Sequence, residues 1–127
     1  MNARALPRFH ALKLEDQATV ARTFSAEDVR EWCDLAGVDA PFDQVPEPLI
    51  AGLFSYLLGE HLPGHGTNYL KQHMRFEEQG RIGEALTASV TVTHLRPGKA
   101  LVNLDTLCTG EDGRVICAGD ALVLFEQ

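Results

Sequence analysis

Cysteine is scarce in this 127-residue chain: Cys33, Cys108 and Cys117 are the only three, and no two stand in a C-x-x-C spacing. An odd count without paired spacing argues against a disulfide framework and against a zinc ribbon, and the apolar neighbours of each point to buried, inert thiols. The five histidines contain no H-E-x-x-H pattern, so no metal site is expected. Positive charge is short as well. Eleven Lys and Arg face 18 Asp and Glu, and the resulting charge of −7 repels phosphate backbones and anionic surfaces. Neither a nucleic acid nor a membrane is therefore expected as partner. No apolar run approaches the ~20 residues of a membrane span. Met1 to Arg8 lacks the apolar stretch of a secretory signal, so a soluble, cytoplasmic protein is expected. Internal repeats and low-complexity segments are absent.

Apolar residues make up 45% of the chain, enough for one core and one domain spanning 1–127. Ala11 to Thr23 is partly alternating and reads as a first strand. Ser25-Ala26-Glu27-Asp28 is a capping box, because the Ser25 hydroxyl can accept from an open amide while Asp28 reaches back. Val29, Trp32, Cys33 and Leu35-Ala36 follow at helical spacing, and Gly37 is placed to end that helix. Three prolines, Pro41, Pro46 and Pro48, make the next stretch a loop.

Leu49, Ile50, Leu53, Phe54, Tyr56, Leu57 and Leu58 then cover most of a helix circumference, up to Gly59 or Leu62. A helix apolar on nearly every side belongs inside a core. Strand patterns fill the remainder: Asn68 to Glu78, Glu84 to Leu95, Ala100 to Thr109 and Arg114 to Phe125, separated by Gly80, Pro97-Gly98 and Gly110-Glu111-Asp112-Gly113. Helices first and a meander afterwards indicate an α+β fold, with an antiparallel sheet covering the apolar helix.

Several stretches are similar to the MaoC-like (R)-specific enoyl-CoA hydratases, over about Thr23 to Phe125. They are Thr23-Phe24-Ser25-Ala26-Glu27-Asp28-Val29, Leu35-Ala36-Gly37, Leu53-Phe54-Ser55-Tyr56-Leu57-Leu58-Gly59 with Leu62-Pro63-Gly64, and Tyr69-Leu70-Lys71-Gln72. Gly83 with Leu86-Thr87-Ala88, and Ala118-Gly119-Asp120-Ala121, match later strands. The resemblance implies a hot-dog fold, a sheet wrapped around a long central helix. It also implies a homodimer or larger homo-oligomer with a pantetheine tunnel near the interface, an acyl-CoA or acyl-carrier thioester as ligand, and no cofactor. The reaction it implies is hydration of enoyl-CoA or dehydration of 3-hydroxyacyl-CoA, within fatty acid metabolism.

That chemistry uses a carboxylate and an imidazole around one water, with backbone amides polarising the thioester carbonyl. In the family these come from a Gly-Asp-x-Asn-Pro-x-His stretch and a His-Gly that opens the central helix. Here the stretch reads Gly37-Val38-Asp39-Ala40-Pro41-Phe42-Asp43, so Val38 stands for the aspartate, Ala40 for the asparagine and Asp43 for the histidine. Pro46-Glu47-Pro48 replaces the His-Gly, and the linker is about ten residues shorter than the family's. Asp39, Asp43 and Glu47 are the candidate catalytic groups. Leu49, Ile50, Ala51 and Gly52, with their backbone amides, and Phe54 and Tyr69 are the candidate substrate contacts. Asp39 is also explained as a solvated loop carboxylate, and Glu47 as a charge favoured at a helix N-terminus. His61 and His65 flank Pro63-Gly64, after the wrong end of the helix. Three functions stay open: a hydratase or dehydratase, a thioesterase working with a single carboxylate, and a thioester-binding subunit without chemistry.

Overall fold

Pro7 at the first helical position starts a single turn, α1 (Pro7–His10), whose Phe9 is buried and donates its amide to the Gln127 carbonyl at 3.0 Å. The computed structural model describes residues 6–39 and 43–127. The remaining elements are β1 (Gln17–Thr23), α2 (Ala26–Ala36), α3 (Glu47–Glu60), β2 (Thr67–Phe76), β3 (Ala85–Arg96), β4 (Leu101–Thr109) and β5 (Val115–Phe125). Beginning the first strand at Ala11 is a misreading. Lys13 to Asp16 instead form a turn, in which the Asp16 carboxylate accepts the Lys13 amide and Glu15 takes φ 74°. The strand begins only where pairing to β3 does, at Gln17.

The five strands lie in the order β1-β3-β4-β5-β2, with every pairing antiparallel. Their alternation sends Leu86, Ala88, Val90 and Val92 of β3 and Val102, Leu104, Thr106 and Cys108 of β4 to the face that buries. α3 lies against that face and touches β1, β2 and β3. Ile50, Leu53, Phe54, Leu57 and Leu58 are its buried side chains. Sheet and helix share one core, which is the hot-dog arrangement expected from the sequence.

α2 forms as its signals require. Ser25 and Asp28 make both halves of the capping box, and Gly37 closes the helix at φ 73°, a left-handed conformation that glycine adopts without a Cβ penalty. Only Val29 and Cys33 of α2 are fully buried. The helix therefore flanks the core, and its C-terminal end delivers the chain to the linker in front of α3.

Candidate active site

The linker returns to the core along the β2–β3 connection. Gln44 makes an isolated antiparallel bridge with Arg81, the Val45 amide donates to the Gly80 carbonyl at 2.7 Å, and the Ile82 amide donates to the Asp43 carbonyl at 3.0 Å. Val45 is buried there, which fixes where Pro46 and the first turn of α3 begin. Ala40, Pro41 and Phe42 of the diverged stretch lie outside the described residues.

Two adjoining clefts open at this junction. The inner one, about 270 Å³, is lined by Trp32, Cys33, Val38, Asp39, Ile50 and Phe76 among others. The outer one, about 610 Å³ and more polar, carries Asp43, Glu77, Glu78, Arg81, Ile82 and Arg114. Gln44, Glu47, Phe76, Glu78 and Gln79 line both, so Glu47 stands where the apolar chamber meets the polar mouth. Asp39 reaches only the inner cleft and Asp43 only the outer. All three candidate carboxylates are exposed residues. Histidine lines neither cleft; His61 borders a separate hollow with Asp16 and Gln17, where its Nε2 meets the Tyr56 hydroxyl at 2.9 Å.

The candidate substrate contacts divide. Ile50 lines the inner cleft, while Leu49 faces a shallower hollow with Trp32, Phe24 and Leu35. Phe54 is wholly buried in the core. Tyr69 sits on β2 with its hydroxyl 3.2 Å from Ser55 Oγ, and burial raises its pKa against the opposing hydrogen bonds from Ser55 and Gln72.

The amide donors expected at Leu49 to Gly52 shift position, because α3 begins two residues earlier, at Glu47. The Leu49 amide already donates to the Pro46 carbonyl at 3.0 Å, Pro46 and Pro48 have no amide hydrogen, and Ile50 onward fall within helical bonding. Helix geometry thus leaves the Glu47 amide as the open donor of the first turn, on a residue that lines both clefts.

Sequence reasoning missed Glu84 and Arg114. Their only signal is an acid that opens an otherwise alternating strand and a base that closes the Gly110–Gly113 turn, neither of which reveals that the two meet.

No family model matches the chain. An (R)-specific enoyl-CoA hydratase of Rhodospirillum rubrum is 35% identical over 130 residues, covering 91% of this chain and 90% of the relative. A mitochondrial 3-hydroxyacyl-[acyl-carrier-protein] dehydratase of Solanum lycopersicum is 29% identical, covering 90% and 78%. The solved (R)-hydratase of Aeromonas caviae, involved in PHA biosynthesis, superposes with a TM-score of 0.83 at 31% identity, over 91% of this chain and 98% of that one. The Rhodospirillum alignment spans 130 positions but only 91% of 127 residues here, leaving about 14 positions without a counterpart.

Proposed function

The chain belongs to the (R)-specific enoyl-CoA hydratase family, and we propose that it adds water reversibly to the double bond of an enoyl thioester, with carboxylates doing the work of the family's Asp and His. The observation that carries this reading is the position of Glu47, at the neck between an apolar chamber of about 270 Å³ and a polar mouth, with Asp39 lining the same chamber. The acyl group fits the chamber walled by Trp32, Ile50 and Phe76, and the remainder of an acyl-CoA or acyl-carrier thioester extends through the mouth.

One carboxylate takes a proton from water as its oxygen bonds to C3, and a proton is delivered to C2, so that one C–O and one C–H bond replace the double bond. Glu47, which lines both clefts, suits the base and can return to C2 the proton it takes from water; Asp39, which lines the inner cleft, suits the orienting of that water. Negative charge on the thioester oxygen is met by the Glu47 amide and the N-terminal end of α3. No cofactor is invoked for this chemistry.

Two copies pairing along the open edge of β2 would complete the substrate tunnel. Tyr69 is 41% and Leu70 54% exposed on that strand, which supports this assembly. Light scattering should then return twice the chain mass of 13.9 kDa.

A mass-spectrometric time course with crotonyl-CoA tests the chemistry. The expected product is (R)-3-hydroxybutyryl-CoA, formed about a hundredfold or more slower by Glu47→Gln, with Asp39→Asn impaired and Asp43→Asn less so. Free CoA lost in Glu47→Gln would instead establish a thioesterase, and a wild-type dimer that yields neither product would leave a binding subunit.

A further inference from the structure

Beneath the mouth of the clefts lies an ion pair that the reading above does not use. Glu84, just ahead of β3, is 8% exposed. Its Oε2 accepts from Arg114 Nη2 at 2.7 Å and from the Arg81 amide at 2.6 Å, and its Oε1 accepts from the Glu111 amide at 3.2 Å. Arg114 in turn donates to Asp112 Oδ1 at 2.7 Å and to the Gln79 carbonyl at 2.9 Å. The node is packed as closely as it is bonded, since a Cβ on Gly110 would come within 2.6 Å of Glu84 Oε1.

Gln79 and Arg81 are thus gripped from below by the two partners. The segment they bound is the one that carries the linker, through Val45 to Gly80, Ile82 to Asp43, and the Gln44 bridge to Arg81. A hydrogen-bonded path runs from Glu84 and Arg114, through Gln79–Ile82, to Asp43–Val45 and the turn that begins at Pro46 and Glu47. Buried ion pairs stabilise little over apolar residues of the same size, so stability alone is a weak reason for one here. Fixing the geometry of a carboxylate-bearing loop is a better one, because small misplacements of a catalytic group are expensive in rate.

We propose that Glu84 and Arg114 are a positioning pair, which holds Gln79–Ile82 rigid and through it sets Asp43 and Glu47 at the cleft. The kinetic part rests on the hydratase reading; the structural part does not. The test compares the wild-type chain with Glu84→Gln and with the double variant Glu84→Met/Arg114→Met, in crotonyl-CoA kinetics and in amide hydrogen exchange at Val45 and Ile82. Glu84→Gln should lower kcat about tenfold or more with KM within about twofold, and lower protection at Val45 and Ile82 about tenfold while leaving Val90 and Val102 unchanged. The double variant should regain the thermal midpoint without regaining kcat or that protection.

Were Glu84→Gln not to fold, Arg114→Lys, which keeps the charge but loses the fork to Gln79, carries the same readouts. Unaltered protection at Val45 and Ile82, or recovery of kcat together with stability in the double variant, would overturn the proposal. A wild-type chain without hydratase turnover would sink the preceding reading alone, and the exchange pattern would still decide this one.

Discussion

The three candidate carboxylates, Asp39, Asp43 and Glu47, differ less in chemistry than in where the backbone sets them. Glu47 reaches both clefts because Pro46 and Pro48 flank it and start α3 at that residue. Proline at the first turn forgoes an amide that no carbonyl would have met, so the helix tolerates two of them while only one donor remains. The sequence put Val38, Ala40 and Asp43 where the resemblance implies an aspartate, an asparagine and a histidine, since that follows from counting along one stretch. It could not expose the grouping of Asp39 with Glu47, which depends on how the linker folds back on the core, or the grip of Arg114 on Gln79, which joins segments 35 residues apart. The cysteines were legible from their apolar neighbours and are buried. Burial pushes the Cys108 thiol up to about 12 and the Cys117 thiol up to about 11. Iodoacetamide at pH 8 should therefore leave both unlabelled in the native protein, and labelling should track unfolding when urea is titrated in.

At the scale of elements, α2, α3 and the last three strands followed their sequence signals closely, and the boundaries that moved did so for local reasons. α1 escaped notice because four residues carry no periodicity, and β1 was drawn too long because alternation continues into a turn held by Asp16. One constraint between strands was invisible in the pattern. Met74 of β2 stands opposite Gly119 of β5, and a Cβ on Gly119 would overlap the His73 carbonyl. Backbone cannot step aside as a flexible side chain does. Gly119→Ala should destabilise the fold by about 3 kcal/mol, read as a lower urea midpoint, whereas Gly98→Ala, which meets open space, should not move it.

For the molecule as a whole, the Glu84 node ties stability to pH. Burial by itself raises the Glu84 carboxyl, but the hydrogen bonds from Arg114 and from the Arg81 and Glu111 amides together leave it below its ordinary value. A carboxyl depressed in the folded state contributes stability that is complete above its unfolded pKa, about 4.3. That contribution is lost as pH falls through the lower folded value. The difference in thermal midpoint between wild type and Glu84→Gln should accordingly be constant from pH 7 to about 5 and shrink below about 4.

The strand order carries a consequence for how the chain reaches this state. β3, β4 and β5 pair with neighbours in sequence, so their hairpins close short loops, whereas β1 must find β3 across both helices and β2 must find β5 across the finished meander. Loop closure disfavours the distant pairings until nearer contacts exist to receive them. Folding is then expected to nucleate in the C-terminal half and to finish with the two outer strands, which would set the carboxylate-bearing linker among the last parts of the molecule to acquire its shape.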